Sequence, residues 1–232
     1  VLYKGYTVGD IWGYVTGGIL QEGDFDGVGA NGKPLYHGPY FKGGQAYPGY
    51  IWYQDLDHDG VITTGLNTVD DPGDRKVIGN NAPRYRYNIT ANFQYKGFDL
   101  DLMFQGVGKR DYWLSSTSSY WGNGAGSWEV YNNSWTPERT DAKFPMYGSG
   151  TGSYPQTGYL LDASYIKLKQ VILGYTFPRA LINKIGLEKL RLNLAAYNLF
   201  TISDMPKYYD ADYLSDAYPP KRTFSVGIQV GF

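Results

Sequence analysis

Phe224, Val226, Ile228, Val230 and Phe232 fall on one side of an extended strand, with Thr223, Ser225, Gly227, Gln229 and Gly231 on the other. Successive side chains of a strand alternate between its faces. A strand that is apolar on one face and small or polar on the other suits a wall between hydrocarbon and water. A soluble sandwich could end on one such strand too, so the weight rests on recurrence. The pattern recurs in Tyr85–Tyr95, where Tyr85, Tyr87, Ile89, Ala91, Phe93 and Tyr95 oppose Arg86, Asn88, Thr90, Asn92 and Gln94. Lys96-Gly97 reads as a tight turn. After it Phe98, Leu100, Leu102 and Phe104 oppose Asp99, Asp101, Met103 and Gln105. Strands of about ten residues are the length needed to cross a bilayer at a tilt.

Two further segments extend the series. In Leu190–Asn198, Leu190, Leu192, Leu194 and Ala196 oppose Arg191, Asn193, Ala195 and Tyr197. Tyr165–Phe177 is less regular: strict alternation puts Lys167 and Lys169 on the same side as Val171, Leu173, Tyr175 and Phe177. Lysines on a lipid-facing side would have to snorkel to an interface. Ile11–Gln21 reads as a weaker strand. Pro178 followed by a short apolar run and Gly186 reads as a short helix between two strands.

The composition fits an all-β chain and excludes several classes. Of 232 residues, 17% are aromatic and 31 are glycine, while no stretch approaches the roughly 18 apolar residues of a membrane helix. Abundant Tyr, Trp, Leu and Ile exclude a disordered chain. A formal net charge of -1 leaves no basic footprint, which argues against nucleic acid as a partner. With no cysteine, disulfides, thiolate zinc sites and cysteine nucleophiles are excluded together. The chain starts at Val1 without a signal peptide, which reads as a mature or internal fragment.

Gly23–Asn80, Gly108–Gly158 and Ser203–Lys221 are too long for hairpin turns and read as loops. Short turns alternating with long loops are the asymmetry of an outer-membrane barrel, with the Lys96-Gly97 and Pro178–Gly186 connections periplasmic and the long loops external. Six or seven strands are too few to close a wide barrel, so the remaining wall is expected elsewhere.

Asp55-x-Asp57-x-Asp59-Gly60-Val61-Ile62 matches the first half of a calcium loop: three carboxylates at alternate positions, glycine at the sharp turn, and a carbonyl at Val61. Position twelve is Leu66 rather than Glu. The plainer reading is an Asp-rich exposed turn capped by Asp59-Gly60. In the long loops Trp113, Tyr120, Trp121, Trp128 and Trp135 could stack on sugar rings or grip a partner. Interfacial girdles and loop cores use the same residues. His37 and His58, the only histidines, lie in loops, and none of the four glutamates sits in an acid/base motif. The expectation is a non-enzyme.

Several phrases occur in a telling order: Gly9-Asp-Ile-Trp-Gly-Tyr-Val-Thr-Gly-Gly-Ile-Leu-Gln21, the Asp55–Ile62 loop, Val77-Ile-Gly-Asn80, Tyr95-Lys-Gly-Phe-Asp-Leu100 and Phe104-Gln-Gly106. Trp135-Thr-Pro-Glu138, Ser164-Tyr-Ile-Lys-Leu-Lys169, Leu173-Gly-Tyr-Thr176, Tyr197-Asn-Leu-Phe-Thr201 and the Arg222-Thr-Phe strand follow. This order resembles the C-terminal portion of SusC/RagA-like TonB-dependent outer-membrane transporters of the Bacteroidetes type.

The resemblance implies an all-β segment, residues 1–232, of a barrel of about 22 strands. The plug, TonB box and early strands would lie outside it, and residues 23–80 and 108–158 would be outer loops. It further implies energised import of a large ligand, an oligosaccharide or a peptide, with a SusD-like surface lipoprotein as lid and TonB acting on the plug. Outer-membrane lipid would surround the wall, and the Phe224–Phe232 strand would close it and carry the signal for the barrel assembly machinery. The family has an acidic residue between the Asp loop and its Val-Ile-Gly. Here Asp70, Asp71 or Asp74 would fill that role, and Asp74 is taken to join Asp55, Asp57, Asp59 and Val61 around Ca2+ or Mg2+. Two other classes share these features, a passive porin-like barrel and a soluble calcium-stabilised carbohydrate-binding β-sandwich.

Overall fold

A computed structural model of the chain describes residues 5–113, 128–207, 209–214 and 220–232. The chain divides into two compact units, one of residues 1–82 and 111–161, the other of residues 83–110 and 162–232.

The second unit is a single antiparallel sheet. Counting strands along the whole chain, it holds β9 (Tyr85–Tyr95), β10 (Phe98–Gly108), β13 (Tyr165–Thr176), β14 (Lys189–Ser203) and β15 (Thr223–Gly231), in the order β15-β14-β13-β10-β9. The strands are 9 to 15 residues long, enough to span hydrocarbon at a tilt. Lys96 and Gly97 both have positive φ (46° and 86°), the two-residue primed turn whose twist matches the strands it joins. The connection between β13 and β14 holds the short helix α2 (Arg179–Ile182), preceded by Pro178 and continued as a 3-10 turn to Gly186 (φ 76°).

Register shows which residues share a face. Phe98, Leu100 and Leu102 lie opposite Tyr95, Phe93 and Ala91 on one side and Tyr175, Leu173 and Val171 on the other. Those pair on with Leu192, Leu194 and Ala196, and then with Ile228, Val226 and Phe224. One apolar face therefore runs unbroken across all five strands.

Tyr165–Phe177 does not keep the strict alternation that put its lysines on the apolar side. Register shifts beside Lys169 in both of β13's pairings, so alternation breaks there. Beyond the bulge Leu168 and Ile166, not the lysines, continue the apolar face opposite Phe104 and Gly106. Lys167 pairs with Gln105 on the polar face. A bulge inserts one unpaired residue and shifts the following side chains. In β14 Asn198 takes positive φ (54°), and Phe200 and Ile202 rejoin the apolar face opposite Leu168 and Ile166. The strand thus runs to Ser203, past the expected end at Asn198.

The first unit is built of short strands: β1 (Asp10–Tyr14), β2 (Thr16–Ile19), β3 (Phe25–Val28), β4 (Pro34–Tyr36), β5 (Tyr40–Phe41), β6 (Ile51–Tyr53), β7 (Val61–Ile62) and β8 (Arg75–Asn80). It also holds β11 (Asp111–Tyr112) and the helix α1 (Trp128–Asn132), while β12 (Leu161–Asp162) lies at the boundary. The pairs are β1-β8, β2-β6, β3-β4 and the parallel β5-β7. Ile11–Gln21, read as one weak strand, is thus two short strands that pair within this unit.

Segments 23–80 and 108–158, read as separate loops, supply one aromatic core. Tyr14, Ile51, Tyr53, Ile62, Trp135 and Phe144 are buried in it. Tyr14 and Tyr53 pack at 5.0 Å and Phe144 stacks on Tyr159 at 5.8 Å. Fully buried Gln156 donates to the Tyr53 hydroxyl at 3.0 Å, and that hydroxyl donates to the Thr151 carbonyl at 2.6 Å, which satisfies polar groups that burial would otherwise penalise. Burial pushes the Tyr14 and Tyr40 hydroxyls up to about 12.

Candidate functional site

The Asp loop closes on itself through backbone donors. Asp55 accepts from the His58 and Gly60 N–H groups at 2.7 and 2.8 Å, Asp57 from Asp59 N–H at 3.2 Å, and Asp59 from Val61 N–H at 2.8 Å. Positive φ at His58 (62°) and Gly60 (84°) makes the tight turn. The residues between Thr63 and Asp74 fold back on themselves. Asp71 accepts from the Leu66 and Gly73 N–H groups, and the Arg75 guanidinium donates to the Thr64 carbonyl at 3.1 Å.

This excursion delivers Asp74. Fully buried, it accepts from Leu56 N–H at 2.8 Å and Thr63 N–H at 2.7 Å. Asp55, Asp57 and Asp74 each bring a carboxylate oxygen within 4.8 Å of the others. Asp59, expected among the ligands, lies outside this group of three.

The electrostatics follow from the crowding. At Asp57 the Asp59 N–H favours the anion, but desolvation, the charges of Asp74 and Asp59 and a hydrogen bond with Asp55 together hold its carboxyl above the ordinary range. At Asp55 desolvation opposes ionisation and is outweighed by the Gly60 and His58 N–H groups, so its carboxyl falls below that range. Carboxylates this close repel unless a proton or a cation lies between them. Hard oxygens in such a cluster, one of them buried, are the donor set that suits Ca2+ or Mg2+.

The loop aromatics part company. Trp135 is only 3% exposed and its indole N–H donates to the Gln21 side-chain oxygen at 2.9 Å, so it serves the core and presents no face to a ligand. Trp128, on α1, is 75% exposed and stacks on Tyr131 at 5.7 Å, with Tyr147 edge-on to Tyr131 at 5.5 Å. That ledge can stack on a flat apolar ligand surface. Trp113 is partly exposed, and Tyr120 and Trp121 lie outside the described residues.

On the polar face of the sheet is a charged knot that alternation did not reveal. The Lys167 ammonium is buried and lies 2.7 Å from Asp210 and 3.6 Å from Asp212. Asp212 also receives Lys169 at 2.6 Å, the Tyr165 hydroxyl at 2.6 Å and the Gln105 amide at 3.3 Å. The segment after β14 is thereby tied onto β13. Although desolvation opposes it, hydrogen bonds from Lys169 and Tyr165 and the lysine charges hold the Asp212 carboxyl below the ordinary range. A second ion pair, Arg191 to Asp99 at 2.6 Å, reaches from β14 to β10 across the intervening β13. It does so over Gly174, where a Cβ would strike both partners.

The terminal strand presents Phe224, Val226, Ile228 and Val230 together, with Phe224 72% and Ile228 65% exposed; Phe232 is exposed beside them. β15 has β14 as its one neighbour among the described residues.

No protein-family model matches the chain. The "TonB-dependent receptor P3" of Formosa agariphila is 30% identical over 249 aligned residues, covering 100% of this chain and 23% of that protein. The chain is homologous to TonB-dependent receptors. The "TonB-dependent receptor SusC" of Bacteroides thetaiotaomicron is 26% identical over 94% of this chain and 23% of its own length. Among solved structures, the RagAB peptide transporter matches with a TM-score of 0.60 at 18% identity, over 96% of this chain and 23% of the solved one. The RagAB peptide importer in its open-open state matches with a TM-score of 0.60 at 20% identity, over 100% and 25%. The chain thus shares its β-fold with part of that transporter, and it spans about a quarter of the length of the curated relatives it matches.

Proposed function

We propose that this chain is a section of the outer-membrane wall of a TonB-dependent importer. The observation that carries the reading is the apolar face shared in register by all five long strands, exposed at Phe93, Leu173, Leu194, Val226 and Ile228. A soluble β-sandwich covers such a face with a second sheet, whereas lipid covers it in a membrane wall. Homology to TonB-dependent receptors supports the same reading. On it, the opposite face with Asp99, Arg191, Lys167 and Asp212 looks into the barrel, and the aromatic-cored first unit forms an outer loop assembly.

The ligand moved is a large nutrient, an oligosaccharide or a peptide. The SusC homologue supports a SusD-like lipoprotein lid, and the RagAB neighbours, described as peptide importers, support the peptide alternative. TonB would supply the energy through a plug, the barrel assembly machinery would insert the wall, and β15 would pair onward with further wall at its open edge. We further propose that Asp55, Asp57 and Asp74 hold Ca2+ (or Mg2+), which would brace the outer unit without entering transport itself.

Deleting the receptor gene in its host and following uptake of fluorescent oligosaccharide and peptide pools tests the reading. Loss of uptake of one pool, restored by the intact gene but not in a strain lacking TonB, is the expected result. Unchanged uptake of both pools in the deletion strain would overturn it.

A further inference from the structure

The end of the sheet that carries the two short connections is neither simply polar nor simply apolar. The Lys96-Gly97 turn and the 178–188 connection lie side by side: Thr176 N–H donates to the Gly97 carbonyl at 2.7 Å, and Phe177 N–H donates to the Leu190 carbonyl at 3.0 Å. Four cations ring this end, Lys96, Arg179, Lys184 and Lys189. All are exposed, and among the described residues none forms an ion pair. Glu188 is the one acidic residue of the connection.

The helix between them is amphipathic in an unusual sense. Ile182 is buried and ties it to the wall, but Leu181 and Ile185, four residues apart, are 58% and 67% exposed. Leu181 lies in α2 and Ile185 in the 3-10 turn that continues it, so one short connection exposes two large apolar side chains. Just inside this end runs an aromatic row, with Phe98 against Tyr175 at 4.4 Å and Tyr175 against Phe177 at 4.8 Å; the Lys96 ammonium sits over the Tyr95 ring at 5.1 Å.

Water alone does not suit exposed Leu181 and Ile185, and hydrocarbon alone does not suit four unpaired cations. A headgroup layer suits both, with acyl chains for the apolar pair and anionic phosphates for the cations, as surface-lying amphipathic helices show. We propose that the 178–188 connection, together with Lys96, is a foot that docks on anionic phospholipid headgroups of the leaflet at this end of the wall. Leu181 and Ile185 dip below the phosphates, and Lys96, Arg179, Lys184 and Lys189 hold them. The inference rests on the membrane-wall reading and adds to it a lipid-class preference and a fixed depth for one rim.

The chain has no cysteine, so single labels can be placed cleanly. In the full-length receptor, with any cysteine outside this segment replaced, Leu181→Cys, Ile185→Cys and the sheet-face control Leu194→Cys are labelled with bimane. Each is reconstituted in phosphatidylcholine vesicles with and without phosphatidylglycerol, using acyl chains brominated at shallow or deep positions as quenchers. The expected result is deep quenching at 194 and shallow quenching at 181 and 185. Retention of phosphatidylglycerol over phosphatidylcholine on the extracted receptor, counted by mass spectrometry, should drop roughly fivefold for each cation changed to glutamine among the four. Quenching at 194 with none at 181 and 185 overturns the foot and leaves the wall standing. No quenching at 194 overturns the wall, and the foot with it. Equal phosphatidylglycerol retention by the parent and the four-glutamine variant overturns the headgroup contact.

Discussion

Single residues show how sharply the two faces of the wall differ. Leu192 and Asn193 are neighbours in β14, yet Leu192 lies opposite Tyr175 and Ile228 on the apolar face. Asn193 lies between Gly174 and Gly227 on the other, its amide over the Gly227 backbone on the polar face. Leu192→Arg should therefore cost about 2–4 kcal/mol near the midplane, while Asn193→Arg should be nearly neutral; urea unfolding of the receptor in lipid separates the two, and equal costs would refute the assignment of faces. Asp74 is the residue on which the cation proposal turns, because it is the buried member of the trio. In Asp74→Asn the rise in melting temperature that added Ca2+ gives the parent should disappear. An unchanged rise would place the cation elsewhere. Lys167→Met should destabilise by about 1–3 kcal/mol by taking the ammonium from the half-buried Asp210 carboxylate, whereas Lys167→Met combined with Asp210→Leu should recover most of that loss in the same unfolding experiment.

At the scale of elements, the segment after β14 is held to β13 by charge. The Asp212 carboxyl is depressed in the folded state, so its contribution to stability is complete above the unfolded-state value. It is lost as pH falls through the lower folded value. Acidification through and below the ordinary carboxylate range should therefore loosen residues 204–214 before the strands themselves, seen as faster amide exchange in that segment alone. Simultaneous loosening of β13 and β14 would show that the knot does not act as a local fastening. The bulge beside Lys169 makes this arrangement possible, since it turns the lysines of β13 off the lipid face that strict alternation gives them. Alternation correctly predicted the faces of β9, β10, β15 and the first part of β14, because each of those stretches keeps register with its neighbour. It failed at Lys169, where one extra residue in a strand is visible only against its partner, and it stopped β14 at Asn198 although the strand runs on to Ser203.

At the scale of the whole molecule, two kinds of information separate. Period-two patterning, turn chemistry at Lys96-Gly97 and the ordered family phrases are local. They settled that the chain is all-β, that its long strands carry one apolar face and that it resembles SusC/RagA-like transporters, because side-chain direction along a strand follows from the backbone alone. The membership of the carboxylate trio is not local. Asp74 joins Asp55 and Asp57 only because the Thr63–Gly73 excursion folds back; in the sequence Asp70 and Asp71 stood beside it as candidates. Trp128 and Trp135 carry the same side chain in one stretch of sequence, and packing alone separates an exposed ledge from a buried core. Lys167 looked like a misplaced charge in a membrane strand until Asp210, more than forty residues away, came within hydrogen-bond reach. What the sequence determined was the alternation of faces. What the tertiary structure decided was which distant groups meet, because a buried charge or carboxylate is tolerable only where folding has brought it a partner.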